Sequence, residues 1–196
     1  MPVLALFDAA GEWQDTLVCD GLIRQRLEPL GLLFGRIDLP SDLPPAGQDA
    51  GTDWRALLGA PLQALWPTFT PAFIDRVSLA PDPSDGDALR PQFIREHHHD
   101  DAEVRLFLAG SGAFYLRAGG GLLALLCDAG DWLYLPPGLA HGFDAGAKPD
   151  FDALRLFADP QGWQAHPTGR DWPAKLPRFD ALVDGVLAQT GLEDGE

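Results

Sequence analysis

Three histidines and several carboxylates stand close together near the middle of the chain, within residues 96–103. His97 and His99 are two residues apart, a spacing that places both side chains on one face of a β-strand but on nearly opposite sides of a helix. Glu103 has the same parity, and His98 has the other. Imidazole nitrogens and a carboxylate oxygen are the ligand set of a divalent transition metal. The spacing therefore predicts a strand that directs His97, His99 and Glu103 toward one ion; the alternative is a polar cluster on the surface.

A further histidine stands in a setting that favours metal binding. Residues 130–141 read GDWLYLPPGLAH: a strand-like run, a tight turn with two prolines and a glycine, and then His141. A proline- and glycine-rich turn of this kind can bring a histidine from a distant strand to the mouth of a barrel. His141 is therefore a candidate for the fourth ligand.

Short strands dominate the predicted elements around these residues. The chain has 196 residues with 18 prolines and 22 glycines, which indicates many turns. Apolar runs predict strands at Val3–Phe7, Leu32–Leu39, Ile74–Leu79, Val104–Leu108, Ala113–Leu116, Leu122–Cys127, Trp132–Leu135 and Phe151–Phe157. Glycines such as Gly110 and Gly112 are expected to separate them. Several short strands at this spacing predict a mainly β fold, a sandwich or a barrel.

A few accessory helices, mostly N-terminal, complete the prediction. They span Gly21–Leu30, Trp54–Trp66, about Ala88–Arg95 and about Arg178–Gln189. Asp20 and Thr52 are the expected N-caps of the first two, and Gly31 should end the first. We expect a single domain over residues 1–196. Its parts are N-terminal strands and helices at 1–95, a barrel core at 96–158, and a turn and helical tail at 159–196.

Composition excludes several classes of partner. The formal net charge is −15, from 14 basic and 29 acidic residues, and a field of this sign repels nucleic acids and anionic membranes. Cys19 and Cys127 are too few and too far apart for a disulfide framework or a C-x-x-C metal site, as expected in a reducing cytoplasm. No apolar run approaches the roughly 20 residues of a membrane helix. We expect a cytoplasmic monomer that binds neither nucleic acid nor membrane.

The two histidine stretches together resemble the metal-binding motifs of the cupin superfamily. The first motif, H-x-H-x3-E-x6-G, is matched by His97, His99, Glu103 and Gly110. The second motif, G-x5-P-x-G-x2-H-x3-N, is matched by Gly130, Pro136, Gly138 and His141. Two outer positions depart from the pattern, since Pro91 stands at a usual glycine and Ala145 at the usual asparagine. The resemblance implies a double-stranded β-helix, or jelly-roll barrel, in which the three histidines and the glutamate hold one metal ion.

A longer stretch is similar to the acireductone dioxygenases, a family of cupins. Residues 96–114 (EHHHDDAEVRLFLAGSGAF) and 149–163 (PDFDALRLFADPQGW) look like the core of that family. The similarity is clear over about Phe73–Thr168, weaker before it, and poor past Trp172. It implies a dioxygenase of methionine salvage that cleaves the acireductone 1,2-dihydroxy-3-keto-5-methylthiopentene with O2, using Fe²⁺ or Ni²⁺. The iron form gives the keto-acid precursor of methionine and formate; the nickel form gives methylthiopropanoate, formate and carbon monoxide.

Several further side chains are candidates for the walls of the site. Arg105 has the parity of Glu103 and should point inward, where a guanidinium can hold a substrate oxygen as an anion. The resemblance implies the same role for Arg155; the alternative for each arginine is a buried partner for a carboxylate. Glu96 can accept a ring N–H from a ligand histidine, or it is simply exposed. Aromatic residues at family positions that line the apolar part of the pocket are Phe93, Phe143 and Trp163.

Two other functions remain open at this point. One is a different cupin enzyme, such as another dioxygenase or a sugar isomerase, and the other is a cupin that binds a small molecule without catalysis. Arg155 and the Asp-Pro-x-Gly-Trp segment at 159–163 weigh against the first. His98 and His166 are expected to be structural or exposed, and Cys127 to be a small core residue.

Overall fold

The structure is a computed structural model that describes residues 2–60, 62–63, 65–80 and 90–191. Within these residues the main elements are eleven strands and three helices. The helices in this part of the chain are α1 (Asp20–Leu27), α2 (Trp54–Leu58) and α3 (Phe179–Thr190), and residues 90–94 are also helical. Among the described residues, no helix combines the length and apolarity needed to cross a membrane. The strands are β1 (Val3–Phe7), β2 (Trp13–Leu17), β3 (Leu33–Arg36), β4 (Phe73–Leu79), β5 (His97–His98), β6 (Glu103–Ala118), β7 (Gly121–Asp128), β8 (Asp131–Leu135), β9 (His141–Asp144), β10 (Phe151–Phe157) and β11 (His166–Pro167).

Antiparallel pairing arranges these strands in two layers that share β6. One layer has the order β11-β5-β9-β6-β7-β1-β2, and the other has the order β4-β10-β6-β8-β3. A buried apolar cluster contains side chains from both layers, such as Leu4, Phe114 and Leu125 from the first and Phe34 and Ala153 from the second. The prediction of a mainly β cupin barrel is confirmed.

The 16-residue strand β6 joins the two layers because it continues through a bend at Gly110. Its first half pairs with β10 and β8, and its second half pairs with β7 and β9. Gly110 has a φ of 65°, and the β10–β6 register shifts beside it, between Asp152 and Ala153. The prediction that Gly110 and Gly112 separate two strands was therefore wrong: β6 has a bulge at Leu108, bends at Gly110 and does not end.

Replacing Gly110 with alanine should lower the free energy of unfolding by more than the backbone strain of a positive φ accounts for. A Cβ atom at this position would overlap the main-chain carbonyl of Asp150, and the φ of 65° adds roughly 1–3 kcal/mol of strain. Urea unfolding measures the change in the free energy of unfolding. Gly120→Ala is the matched control, because Gly120 also has a positive φ (79°) but has open space around it. If both variants lose the same free energy of unfolding, the close contact between position 110 and the Asp150 carbonyl does not contribute.

Helix ends differ from the predicted ends by one or more residues. Cys19, not Asp20, is the N-cap of α1, and Asp20 begins the helix. The helix then tightens into a 3₁₀ turn over Glu28–Leu30, and Gly31 ends it with a φ of 75°, as predicted. α3 lies within one residue of its predicted bounds at both ends.

The second helix, α2, is much shorter than the predicted Trp54–Trp66. Its N-cap is Asp53, whose carboxylate accepts a hydrogen bond from the Ala56 amide at 3.0 Å, so the choice of Thr52 was wrong. α2 ends at Leu58, and Gly59, a poor helix former, follows at once. Of the predicted helix at about Ala88–Arg95, residues 88–89 lie outside the described residues.

Candidate metal centre

Strand pairing brings His97, His99 and His141 together. His97 in β5 stands directly opposite His141 in β9, and β9 pairs with the second half of β6. The ring centroids are 4.5 Å apart for His97 and His141, 5.3 Å for His97 and His99, and 5.4 Å for His99 and His141. One ring nitrogen from each histidine lies within 4.8 Å of the other two. These three residues, called the inner cluster below, can hold a metal ion.

Glu103, the first residue of β6, adds a carboxylate to the inner cluster. Its Oε2 lies 3.3 Å from His99 Nε2 and 3.5 Å from His141 Nε2. Two ligand atoms of one ion are roughly 3.0–3.4 Å apart when the bonds are about 2.1 Å long. Glu103 Oε2 and His141 Nε2 are buried, and neither has a hydrogen-bond partner among the described residues. Buried polar atoms are normally paired, so these two atoms fit a bound cation.

Main-chain carbonyls fix the tautomer of each histidine in the inner cluster. The Nδ1 atoms lie 2.7–2.8 Å from the carbonyl oxygens of Arg95, Leu139 and Gln164. A carbonyl oxygen can only accept, so each Nδ1 carries the proton and each Nε2 presents a lone pair. All three imidazoles are therefore prepared to bind a metal through Nε2.

The charge states of two side chains, His97 of the inner cluster and Glu103 beside it, also suit a cation. Burial, together with the nearby His141 ring, lowers the pKa of His97 to about 4, so this ring is neutral at pH 7. Burial alone would raise the pKa of Glu103, but the Arg105 charge and the neighbouring histidine rings outweigh it. The pKa of Glu103 therefore lies well below its usual value, and the carboxylate is ionised.

A cavity of about 430 Å³ opens over the inner cluster. The predicted wall residues Phe93, Arg105, Phe143, Arg155 and Trp163 all line it, together with the three histidines. Trp163 is 49% exposed at the surface end, whereas Arg105 and Phe143 are buried. The cavity thus has a polar base of ring nitrogens and guanidinium groups and a largely aromatic side wall.

Phe114 is a wall residue that parity did not identify. Before the bulge in β6, the odd-numbered residues Glu103, Arg105 and Phe107 point to the inner side, toward the cavity or the apolar cluster between the layers. After the bulge, the even-numbered residues Phe114 and Leu116 point to that side. Leu108 is the extra residue, because Phe107 pairs with Ala153 and Ala109 pairs with Asp152, and this bulge reverses the alternation. Gly110, two residues later, was the nearest signal of an irregularity in the sequence.

Two of the arginines that line the cavity, Arg105 and Arg155, have carboxylate partners. Arg105 donates to Glu103 Oε1 from Nε at 3.1 Å and from Nη2 at 2.6 Å. Arg155 donates to the two oxygens of Asp75 from Nε at 2.9 Å and from Nη2 at 2.5 Å. The side chains of Arg105, Arg155 and Asp75 follow one another across strands β6, β10 and β4. The two predictions for the arginines, cavity contact and carboxylate pairing, are thus compatible, and Asp75 is a partner that the sequence did not reveal.

Glu96 does not have the predicted role. The side chain is buried, and its carboxylate accepts hydrogen bonds from Arg117 Nε and Thr168 Oγ1, both at 2.6 Å, and lies 2.8 Å from Arg170 Nε. The ring N–H groups of the inner cluster donate to main-chain carbonyls instead. Glu96 therefore ties the segment after β11 to the barrel; it neither orients a histidine nor lies exposed.

Comparison with known proteins agrees with this geometry. The model of the ARD/ARD' family matches residues 73–165. "Acireductone dioxygenase" of Marinobacter nauticus is 40% identical over 179 residues, which covers 89% of this chain and 94% of the relative. The protein of the same name from Parvibaculum lavamentivorans is 38% identical over 162 residues, with 81% and 85% covered.

A solved structure shows the same fold. It is the acireductone dioxygenase from Bacillus anthracis with a cadmium ion in its active centre, and it superposes with a TM-score of 0.68. The superposition covers 84% of this chain and 97% of that one at 22% identity. Sequence identity along almost the full length of the relatives, together with this fold, shows that the chain belongs to the ARD/ARD' family.

Proposed function

We propose that this protein is an acireductone dioxygenase that works with one divalent transition metal held by His97, His99, Glu103 and His141. The observation that carries the proposal is the inner cluster itself, in which one nitrogen from each of three histidines lies within 4.8 Å of the other two. The unpaired Glu103 Oε2 lies 3.3 and 3.5 Å from two of these residues, His99 and His141. Relatives of this name that align along most of the chain support the choice of substrate.

The four proposed ligands determine what a bound ion contributes. Three neutral imidazoles and one carboxylate leave a divalent ion with a net charge of about +1. When bound, such an ion would supply Lewis acidity toward the vicinal oxygens of a dihydroxy-ketone. This ligand set suits both iron and nickel.

The arginines hold the polar end of the substrate in this proposal. Arg105 uses two of its nitrogens on a single oxygen of Glu103, and a guanidinium has five N–H donors, so donors remain for a substrate oxygen in the cavity. Arg155 brings a second positive charge to the same wall. Together they stabilise the substrate as an anion, the electron-rich form that reacts with dioxygen.

The aromatic wall suits the other end of the substrate. Phe93 and Phe143 pack edge to face with their ring centroids 6.4 Å apart, and Trp163 stands at the mouth of the cavity. A methylthio group is apolar, and its sulfur is attracted to ring edges. We therefore place the thioether tail against these rings.

Oxygen uptake tests the proposed activity. Iron-loaded protein mixed with an acireductone should consume O2 and release formate and a keto acid. Tight binding of the acireductone without oxygen uptake would overturn the proposal and favour a non-catalytic binding protein. Elemental analysis of protein from its native host, paired with an assay for carbon monoxide, then distinguishes the iron form from the nickel form.

We also propose that the enzyme works in the cytoplasm as a monomer. Cys19 is exposed and Cys127 is buried, and both are free thiols, which suits a reducing compartment. Size-exclusion chromatography with light scattering tests the monomer, for which a mass of 21.2 kDa is expected.

Asp75→Asn should weaken catalysis through Arg155. The amide removes the charge that orients Arg155 and leaves two positive side chains adjacent on one wall, so kcat/KM should fall by about tenfold, mainly through KM. Steady-state oxygen uptake measures both constants. Asp152→Asn is the control, because Asp152 makes a similar pair with Arg76, and neither residue lines the cavity. A loss of the same size in both variants would indicate a purely structural role for Asp75.

A further inference from the structure

The two histidines outside the inner cluster form a second cluster on the opposite side of β5. The chain has five histidines, and the other two are His98 and His166. They stand directly opposite each other where β5 and β11 pair. Their ring centroids are 5.5 Å apart and their planes are inclined by 33°. The alternation along β5 therefore sends His97 into the cavity and His98 to an outer surface.

A single carboxylate, that of Asp100, lies between the two outer rings. Its Oδ1 is 3.8 Å from His98 Nε2, and its Oδ2 is 3.4 Å from His166 Nε2. These gaps exceed the usual length of an N–H···O hydrogen bond and resemble the 3.3 and 3.5 Å between the Nε2 atoms and Glu103 in the inner cluster. Both rings direct the same nitrogen, Nε2, at the carboxylate.

The surroundings of this outer cluster favour a cation. A cavity of about 340 Å³ beside it is lined by His166 and by acidic and amide side chains, namely Asp100, Asp101, Asp159, Gln161 and Gln164. None of the described residues that line this cavity is an arginine or a lysine. Its local field therefore attracts positive ions. In the described part of the chain only the inner cluster has three such ligand atoms within 4.8 Å of one another, so ion binding by His98, His166 and Asp100 requires these side chains to rotate. They are 33%, 46% and 82% exposed, which leaves room for that rotation.

We propose that His98, His166 and Asp100 form a second metal site, separate from the inner cluster. Two imidazole nitrogens select a transition ion such as Ni²⁺ or Zn²⁺ over Mg²⁺ and Ca²⁺, which prefer oxygen ligands alone. Water completes the coordination shell, because the three side chains are partly exposed. We refer to this as the outer site.

An ion at the outer site would also stiffen the wall of the inner cluster. It would cross-link β5, which carries His97, to β11, which begins two residues after Gln164. The carbonyl of Gln164 is the partner of His99 Nδ1. Increasing the Ni²⁺ concentration should therefore raise the melting temperature of the wild type in two steps, as first one site and then the other fills. The melting temperature does not depend on turnover.

Calorimetric titration of the metal-free protein with Ni²⁺ tests the outer site. The wild type should bind two equivalents, His166→Gln one tight equivalent, and His141→Ala one weaker equivalent. Asp100→Asn should weaken the outer site alone. Removing one ligand of the outer site should raise the Kd of that site for Ni²⁺ by at least about 100-fold. This is the upper end of the loss seen when a residue that only hydrogen-bonds to a metal ligand is removed.

The two variants, His166→Gln in the outer site and His141→Ala in the inner cluster, test this inference and the proposed function separately. If wild type and His166→Gln bind the same number of ions, the outer site is absent. If His141→Ala and wild type bind the same number, the inner cluster is not the metal centre, whatever the result for the outer site. Circular dichroism of both variants confirms that each is folded, and the surviving site in each variant provides a second check.

Discussion

Replacing His141 with alanine is expected to remove the tightly bound metal ion and, with it, oxygen consumption in the presence of acireductone. His141 is buried, its Nε2 has no hydrogen-bond partner among the described residues, and its removal takes away one of four proposed ligands. Loss of a directly bound imidazole should reduce the metal affinity by more than about 100-fold. Elemental analysis after passage over a chelating resin measures the effect, and His99→Ala should behave in the same way.

His166→Ala is the matched control for both variants. It removes the same chemical group from the outer cluster and should retain the tightly bound equivalent and the oxygen uptake. Stoichiometric metal in both His99→Ala and His141→Ala would refute the ligand assignment. Loss of metal from all three variants would indicate that the changes act through stability, which thermal unfolding of the metal-free proteins detects.

Replacing Arg105 with lysine is expected to lower kcat by about 100- to 1,000-fold, the cost of losing one preorganised donor to a developing anion. Lysine keeps the positive charge next to Glu103 but loses the planar group that reaches both Glu103 and the cavity. The tightly bound equivalent of the inner cluster should be retained, because the four proposed ligands remain. Steady-state oxygen uptake and elemental analysis on the same sample separate the two effects.

Arg76→Lys is the control for the arginine variant. Arg76 also makes a buried ion pair, with Asp152, but it does not line the cavity. If Arg76→Lys loses as much activity as Arg105→Lys, the loss reflects the general cost of disturbing a buried ion pair. Activity close to wild type in Arg105→Lys would show that charge alone is needed, and it would exclude a directional hydrogen bond to the substrate.

Residue types and spacing explain why much of the candidate site could be predicted from the sequence. His97, His99 and Glu103 have one parity, but the prediction that one strand carries all three was wrong, because β5 ends at His98 and β6 begins at Glu103. The structure nevertheless places one nitrogen of His97 and one of His99 within 4.8 Å of each other, and Glu103 Oε2 lies 3.3 Å from His99 Nε2. The contribution of His141 could not follow from parity, because it depends on β5 pairing with β9. The strand β9, with the sequence HGFD, is too short to give a periodic signal; the resemblance to the second cupin motif identified His141.

Other parts of the structure depend on contacts that sequence periodicity does not contain. Phe114 was missed because the bulge at Leu108 changes which residues face the cavity. Asp75 was missed because its partner Arg155 is 80 residues away and meets it only through the β4–β10 register. Glu96 was assigned wrongly because an acidic residue next to a histidine gives no information about whether its carboxylate faces the ring or an arginine such as Arg117.

The main-chain partners of the inner histidines have an evolutionary consequence. Each ring is oriented by a carbonyl oxygen, at positions 95, 139 and 164, and every amino acid supplies that oxygen. Mutational drift at these three positions can change the side chain without changing the protonation of the ligand. Natural selection for the correct histidine tautomer should therefore constrain the local backbone conformation. It should constrain the residue types at positions 95, 139 and 164 only weakly.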